Sequence, residues 1–157
     1  MNIQDAHNLA HQKMAEHGLT DWTFSWTHRR KQCGSCRHSV KEISLSKPVT
    51  AVNSEAHVLD TILHEIAHAL VGPNEDHGRK WQLQAIAIGA RPIACAGPNK
   101  GTVYPDGKWV GKCASCDEKI YAYRRPQGTH VHIACKRAGK PAQIAWRENT
   151  ERIKPQY

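Results

Sequence analysis

Two histidines and a glutamate lie close together in the segment His64-Glu65-Ile66-Ala67-His68. The surrounding apolar residues recur at helical spacing, which predicts a mostly buried helix over residues 55–71. Because residues four apart share one face of a helix, both imidazoles can reach the same metal ion. Glu65 can accept a proton from an attacking water and pass it to a leaving amine. The segment therefore predicts a catalytic zinc site with His64 and His68 as ligands and Glu65 as the acid–base group. The alternative is a pair of core histidines with local hydrogen bonds, which the cost of burying three polar groups disfavours.

A catalytic zinc ion usually has three protein ligands and an open fourth position. We expect His77 to be the third ligand, because the loop over residues 71–76 can turn the chain back toward the helix. Glu75 and Asp76 are competing carboxylate ligands. Each of them could instead be an ordinary loop residue or a partner that orients a ligand.

A second set of metal-ligating residues lies near the C-terminus, in the pairs Cys113/Cys116 and His132/Cys135. Two such pairs supply the four ligands of a closed tetrahedral structural zinc site, and they predict a small zinc ribbon. His130 could replace His132 as the fourth ligand. Metal binding is favoured over disulfides because the N-terminus lacks a secretory signal, which predicts a cytoplasmic protein.

Cys33-Gly34-Ser35-Cys36 is a third close pair of cysteines. We interpret it as the turn of a hairpin, because basic stretches flank it and no fourth ligand is evident. The alternative is a further metal site that includes Cys95.

Most of the net charge of +8 lies in the C-terminal third of the chain. Residues 96–157 contain 12 Lys and Arg against 5 Asp and Glu. Such a basic region is typical of an element that binds nucleic acid, although a merely soluble basic surface would look the same. Tyr121 and Tyr123 could stack on unpaired bases or pack within the ribbon. The candidate DNA contacts are Arg124, Arg125, Lys136 and Arg137.

The hydrophobic pattern predicts an α+β fold. A turn-rich connector over residues 97–101 separates two parts of the chain, and no apolar run is long enough to span a membrane. Helices are predicted over residues 3–16, 55–71 and 78–88, and strands over 22–26, 42–46, 109–112, 119–124 and 129–134.

Three segments together resemble the SprT-like metalloproteases, which include the Spartan DNA-repair proteases. They are Ile43-Ser44-Leu45-Ser46, then Leu63 to Leu70 with the H-E-x-x-H motif, then His77-Gly78-Arg79-Lys80-Trp81. In that family an I-x-L-S strand precedes the motif helix, and the His of H-G-x-x-F/W is the third zinc ligand. Members often carry a C-terminal ribbon, usually with four Cys where this chain has His132.

The resemblance implies a zincin-like metalloprotease domain over residues 1–95, a zinc ribbon over 96–145 and a polar tail over 146–157. It implies an endopeptidase with one catalytic and one structural Zn²⁺ that acts on proteins bound or crosslinked to DNA. Two alternatives remain open. One is a non-catalytic zinc-containing DNA-binding or regulatory module, which the intact Glu65 disfavours. The other is a metal-dependent amidase on a small amide or cell-wall peptide.

Overall fold

The computed structural model describes residues 1–93 and 101–152. These residues form two compact units, one from Met1 to Tyr104 and one that begins at Pro105. Both helices and strands are present, so the predicted α+β class is confirmed. Cys95 and most of the predicted connector over residues 97–101 lie outside the described residues.

The first unit has four α-helices and three strands among its described residues. In chain order the elements are α1 (Ile3–Glu16), β1 (Thr23–Thr27), β2 (Gly34–Arg37), the 3₁₀ turn (His38–Val40), β3 (Glu42–Ser46), α2 (Lys47–Thr50), α3 (Glu55–Val71) and α4 (Arg79–Ala87).

Helix α3 is the central element of the first unit. The hydroxyl of Ser54 accepts a hydrogen bond from the amide of His57 and caps its first turn. The helix ends at Gly72, whose φ of 94° favours glycine. Both predicted bounds of this helix are confirmed. Its apolar face packs against α1 and the sheet in a core that includes Ala10, Ile43 and Ile66.

Three strands form the sheet of the first unit, in the order β1-β3-β2. Strand β1 is parallel to β3, and β2 is antiparallel to it with Gly34 opposite Leu45. The predicted hairpin turn at Cys33–Cys36 is therefore wrong, because Gly34 to Cys36 lie within β2. The reversal comes later, through the 3₁₀ turn and Lys41, whose φ is 47°. Small polar residues favour turns locally, but pairing with the buried strand β3 determines the conformation here.

The second unit contains β4 (Trp109–Cys113), β5 (Lys119–Ala122), α5 (Ile133–Arg137) and β6 (Ile144–Glu148), with sheet order β5-β4-β6. Both outer strands are antiparallel to β4. The strand predicted over 129–134 is wrong, because that segment contributes only a bridge at Val131 before α5 begins. The predicted polar tail over 146–157 begins inside β6, where backbone pairing with β4 takes residues 146–148 into the sheet.

The second unit has a very small apolar core. Among its described residues the buried hydrophobic side chains are Val110, Cys113 and Cys135. Within the described ranges, no helix combines the length and apolar character needed to cross a membrane.

Candidate metal centres

Three histidines of the first unit direct the same ring atom toward one point. The Nε2 atom of His77 lies 3.0 Å from Nε2 of His68 and 3.1 Å from Nε2 of His64. Two nitrogens bound to one tetrahedral zinc ion would be about 3.3 Å apart. Hydrogen bonds between neutral imidazoles could join these nitrogens only in pairs, whereas a cation at the centre contacts all three. The predicted ligands His64, His68 and His77 are thus brought together, and they could hold a metal ion.

Trp81 of α4 forms the support behind these rings. Its side chain is fully buried, and its ring centre lies 4.6 Å from those of His64 and His77 and 5.2 Å from that of His68. Packing against one rigid indole restricts the rotamers of all three imidazoles. The sequence motif contained Trp81, but its place against the ligands is visible only in the structure.

The loop between α3 and α4 places and orients His77. Oδ1 of Asp76 lies 3.0 Å from Nδ1 of His77, so the carboxylate favours a proton on Nδ1 and leaves Nε2 available to a metal ion. Glu75, the other carboxylate considered as a ligand, lies 3.9 Å from the ammonium of Lys80. The structure therefore places Asp76 beside His77. Neither Glu75 nor Asp76 belongs to the cluster of candidate ligands.

Glu65 is buried beside this cluster, against strand β2. A Cβ built at Gly34 would lie 2.8 Å from Oε1 of Glu65, so only glycine fits at this position without displacing the carboxyl group. The cleft that contains Glu65 and all three histidines has a volume of about 450 Å³. One wall is β2 and the other is the loop over residues 73–77.

Burial determines the protonation of the site without metal. Burial raises the pKa of Glu65 to about 8. Burial, followed by the neighbouring His68 and His77, lowers the pKa of His64 to about 4, and burial also lowers that of His68. The rings of His64 and His68 are therefore held in the neutral form that binds metal. A cation among them would favour the charged carboxylate of Glu65.

The second unit brings together Cys113, Cys116, His132 and Cys135. Nδ1 of His132 lies 3.3 Å from the Sγ atoms of Cys116 and Cys135, and all four ligand atoms lie within 4.8 Å of one another. Nε2 of His132 faces Glu118 at 3.2 Å, which leaves Nδ1 as the nitrogen available to a metal ion. The ring of His130 packs against Trp146 instead. Three sulfurs and one imidazole suit zinc.

A family model described as the SprT-like family matches residues 3–100 of the chain. The match covers more than half of the 157 residues and includes the whole histidine cluster. The chain belongs to the SprT-like family. Membership indicates a metallopeptidase-like role for this SprT-like chain. Comparison with curated proteins and with solved structures yields no match.

The basic residues predicted to contact DNA all lie in the second unit of the SprT-like chain. Arg124, Arg125, Lys136 and Arg137 are exposed. The guanidinium of Arg125 lies 5.6 Å from the ring centre of Trp109. The hydroxyl of Tyr123 donates to the carbonyl of Pro105, as expected for a residue of the ribbon's own interior, whereas Tyr121 is 40% exposed.

One basic surface of this SprT-like chain was missed by the sequence reasoning. In the second sheet Lys112 pairs with Lys119, and Val110 pairs with both Tyr121 and Arg147. Paired residues share a face, so the three exposed cations and Tyr121 lie on one side of the sheet. The alternation in β4 and β5 could have indicated this face, but Arg147 of β6 falls in the predicted tail over residues 146–157.

Proposed function

We propose that this SprT-like chain is a zinc-dependent endopeptidase that acts on proteins bound or crosslinked to DNA. The observation that carries the proposal is the convergence of three Nε2 atoms beside the buried carboxyl group of Glu65. A purely structural site would have no use for a buried carboxyl group at that position, and four protein ligands would normally close it.

The chain's own residues divide the chemistry among them. A zinc ion held by His64, His68 and His77 would supply Lewis acidity toward a peptide carbonyl and toward water. Glu65 accepts the proton of the attacking water and delivers it to the leaving amine. Its burial keeps bulk water away from the proton during the transfer.

Strand β2 offers the means to position a polypeptide substrate. It is an edge strand, because it pairs with β3 on one side only within the described sheet. An extended peptide can add to such an edge through backbone hydrogen bonds, which hold any sequence. Gly34 lies in this strand against Glu65, so the added peptide would pass the catalytic carboxyl group. An open cleft of this kind, with a sheet edge beside a helix that carries the metal ligands, supports a zincin-like arrangement.

The second unit supports the proposed association with DNA. Its exposed cations can neutralise phosphates, and Tyr121 beside them can stack on an unpaired base. Its four-residue cluster would hold a structural zinc ion that stabilises a unit with little core. Binding to DNA would keep the protease and a DNA-bound protein at high local concentration.

The test is a gel assay of cleavage of a DNA-binding protein by wild type and Glu65→Gln, with and without single-stranded DNA. Zinc content is measured in both proteins. We expect DNA-dependent cleavage by wild type, and an inert Glu65→Gln that keeps its zinc. Two zinc ions in both proteins with no cleavage by either would favour a binding module. Cleavage of peptides that ignores DNA would favour an amidase or peptidase without the DNA role.

A further inference from the structure

A second depression adjoins the metal cleft on the other side of Glu65. It shares the walls formed by Gly34, His64 and Glu65 with the cleft, and it continues along α3 toward the start of that helix. Its volume is about 150 Å³. A cavity of about this size holds a benzene molecule, so the depression fits one large side chain. Among the residues that extend it are Lys31, His57, Asp60, Thr61, Arg91 and Tyr104.

Two of the charges in the wall of this pocket, those of Asp60 and Arg91, are paired with each other, and an exposed Lys31 also lines it. The carboxylate of Asp60 accepts hydrogen bonds at 2.9 Å from both the backbone amide and Nε of Arg91. The hydroxyl of Thr61 donates to the carbonyl of His57 at 2.9 Å. A charged group placed next to Asp60 and Arg91 would have to compete with that pair, so this part of the wall favours a neutral side chain.

His57 contributes a polar atom whose hydrogen bond is not made by the described residues. Its Nε2 is buried and has no partner among them. Burial, followed by the charge of Arg91, lowers the pKa of His57, so its ring is neutral at neutral pH. A buried polar atom without a partner costs free energy, and a ligand that supplies the missing hydrogen bond recovers it.

We propose that this pocket receives the substrate side chain next to the scissile bond, and that it selects tyrosine through a hydrogen bond to His57. The aromatic ring fills a benzene-sized space against the wall formed by His57, and its entry moves that wall enough for the phenol oxygen to reach the buried, unpartnered Nε2. The inference rests on the proposed endopeptidase function, because the pocket is defined by its position beside Glu65 and His64.

The first experiment measures kcat/KM for zinc-loaded protein on peptides that differ at one position, occupied by tyrosine, phenylalanine, leucine or lysine. One unsatisfied hydrogen bond corresponds to roughly a 10-fold preference for tyrosine over phenylalanine. In His57→Leu we expect this ratio to fall to about 1 while phenylalanine peptides are still cleaved. Thr61→Leu narrows the pocket and should lower cleavage of both aromatic peptides, and Thr61→Val, which nearly keeps the volume of the side chain, should lower it less.

The second experiment does not depend on activity. Phenol and benzene are added to metal-free protein labelled with ¹⁵N at histidine, and the imidazole resonances are recorded. We expect phenol to shift the Nε2 signal of His57 and benzene to leave its protonation and hydrogen bonding unchanged.

The outcomes separate the two proposals. Cleavage without a tyrosine preference, or a preference that survives His57→Leu, overturns the pocket assignment and leaves the endopeptidase function intact. Absence of cleavage together with a phenol shift at His57 overturns the function and still supports the ligand class of the pocket. Absence of both overturns the two proposals together.

Discussion

Gly34 of strand β2 and Glu65 of helix α3 are in such close contact that no side chain fits between them. A Cβ at position 34 would lie 2.8 Å from Oε1 and 2.9 Å from Cγ of Glu65. It would also lie 3.0 Å from the carbonyl oxygen of Ser44 in the neighbouring strand. The strand therefore fixes the position of the candidate acid–base group by contact.

Gly34→Ala should reduce proteolysis strongly while leaving metal binding intact. The added methyl group displaces the Glu65 carboxyl group, and misplacement of a catalytic group by 1 Å can cost about 100-fold in rate. The histidine ligands do not contact position 34 in this way, so zinc content should be unchanged. The measurement is kcat/KM together with zinc content by elemental analysis.

Gly78→Ala is the matched control for that experiment. It also adds a methyl group next to the site, beside His77, but the nearest atom would be Oε2 of Glu75 at 3.8 Å. The backbone at Gly78 has an ordinary φ of −69°. Equal losses in the two variants would show that the contact between Gly34 and Glu65 has no special role.

Burial of Glu65 should be visible in the pH dependence of stability of the metal-free protein. Its pKa is raised from the ordinary 4.5 to about 8, so the folded state keeps a proton that the unfolded state loses. Stability from this group is therefore present below about pH 4.5 and is lost as pH rises toward 8. Glu65→Gln does not lose stability in this way, so the Tm of the variant minus that of wild type should increase as the pH is raised from 5 to 8.

The comparison uses calorimetry of both proteins after treatment with a chelator. The lowered pKa of His64 acts in the opposite sense, but it acts in both proteins and largely cancels in their difference. With zinc bound the difference should shrink, because a cation favours the carboxylate. A Tm difference in the chelated proteins that does not change with pH would contradict the assigned environment of Glu65.

The elements that carry the histidine cluster could be predicted because their signals are local. The apolar period of α3, Ser54 before it and Gly72 after it define the helix without reference to the rest of the chain. The contact between Gly34 and Glu65 could not be predicted in this way. It depends on β2 lying at the sheet edge, and the pairing of β2 with β3 outweighs the turn propensity of Gly34 and Ser35.

The second unit also has a feature that local sequence signals do not predict. The prediction places His132 in a strand over residues 129–134, and an extended chain from His132 to Cys135 would place their Cα atoms about 10 Å apart. The structure places them at the start of helix α5, where Nδ1 and Sγ meet at 3.3 Å. The ligand types could be predicted from the sequence, whereas the local conformation depends on bringing this pair to Cys113 and Cys116.

His77→Ala should remove the metal of the first unit. Two nitrogens remain on α3, and a catalytic zinc site normally needs three protein ligands. Total zinc should fall by about one ion per chain. Asp76→Asn should have a smaller effect, about 10-fold in affinity, because Asp76 only orients His77 and is largely exposed. Competition with a chelator measures both variants, and Glu75→Gln is the control. An Asp76→Asn loss as large as that of His77→Ala would make Asp76 a ligand.

Loss of one ligand should unfold the second unit alone. Two of its three buried hydrophobic side chains are the candidate ligands Cys113 and Cys135, so the metal replaces a core that the unit lacks. We expect Cys116→Ser to lose hydrogen-exchange protection in β4, β5 and β6 and to keep it in α1 and α3. Cys36→Ser, outside both clusters, should keep protection throughout. Full protection of β4 in Cys116→Ser would show that the second unit folds without its metal.

The basic sheet face should contribute to the salt dependence of DNA binding. Each phosphate neutralised on a single strand adds about 0.7 to the slope of log K against log salt. Lys112→Ala, Lys119→Ala and Arg147→Ala should each lower the slope by about that amount, as should removal of Arg124 or Arg125 if those side chains share the contact. Arg37→Ala, whose guanidinium pairs with Glu42 in the first unit, is the control and should leave the slope unchanged.

Titrations of a fluorescent oligonucleotide at several salt concentrations measure these slopes. If the sheet-face variants match the control while the Arg124 and Arg125 variants do not, the DNA contacts the segment that follows β5 and does not contact this sheet face.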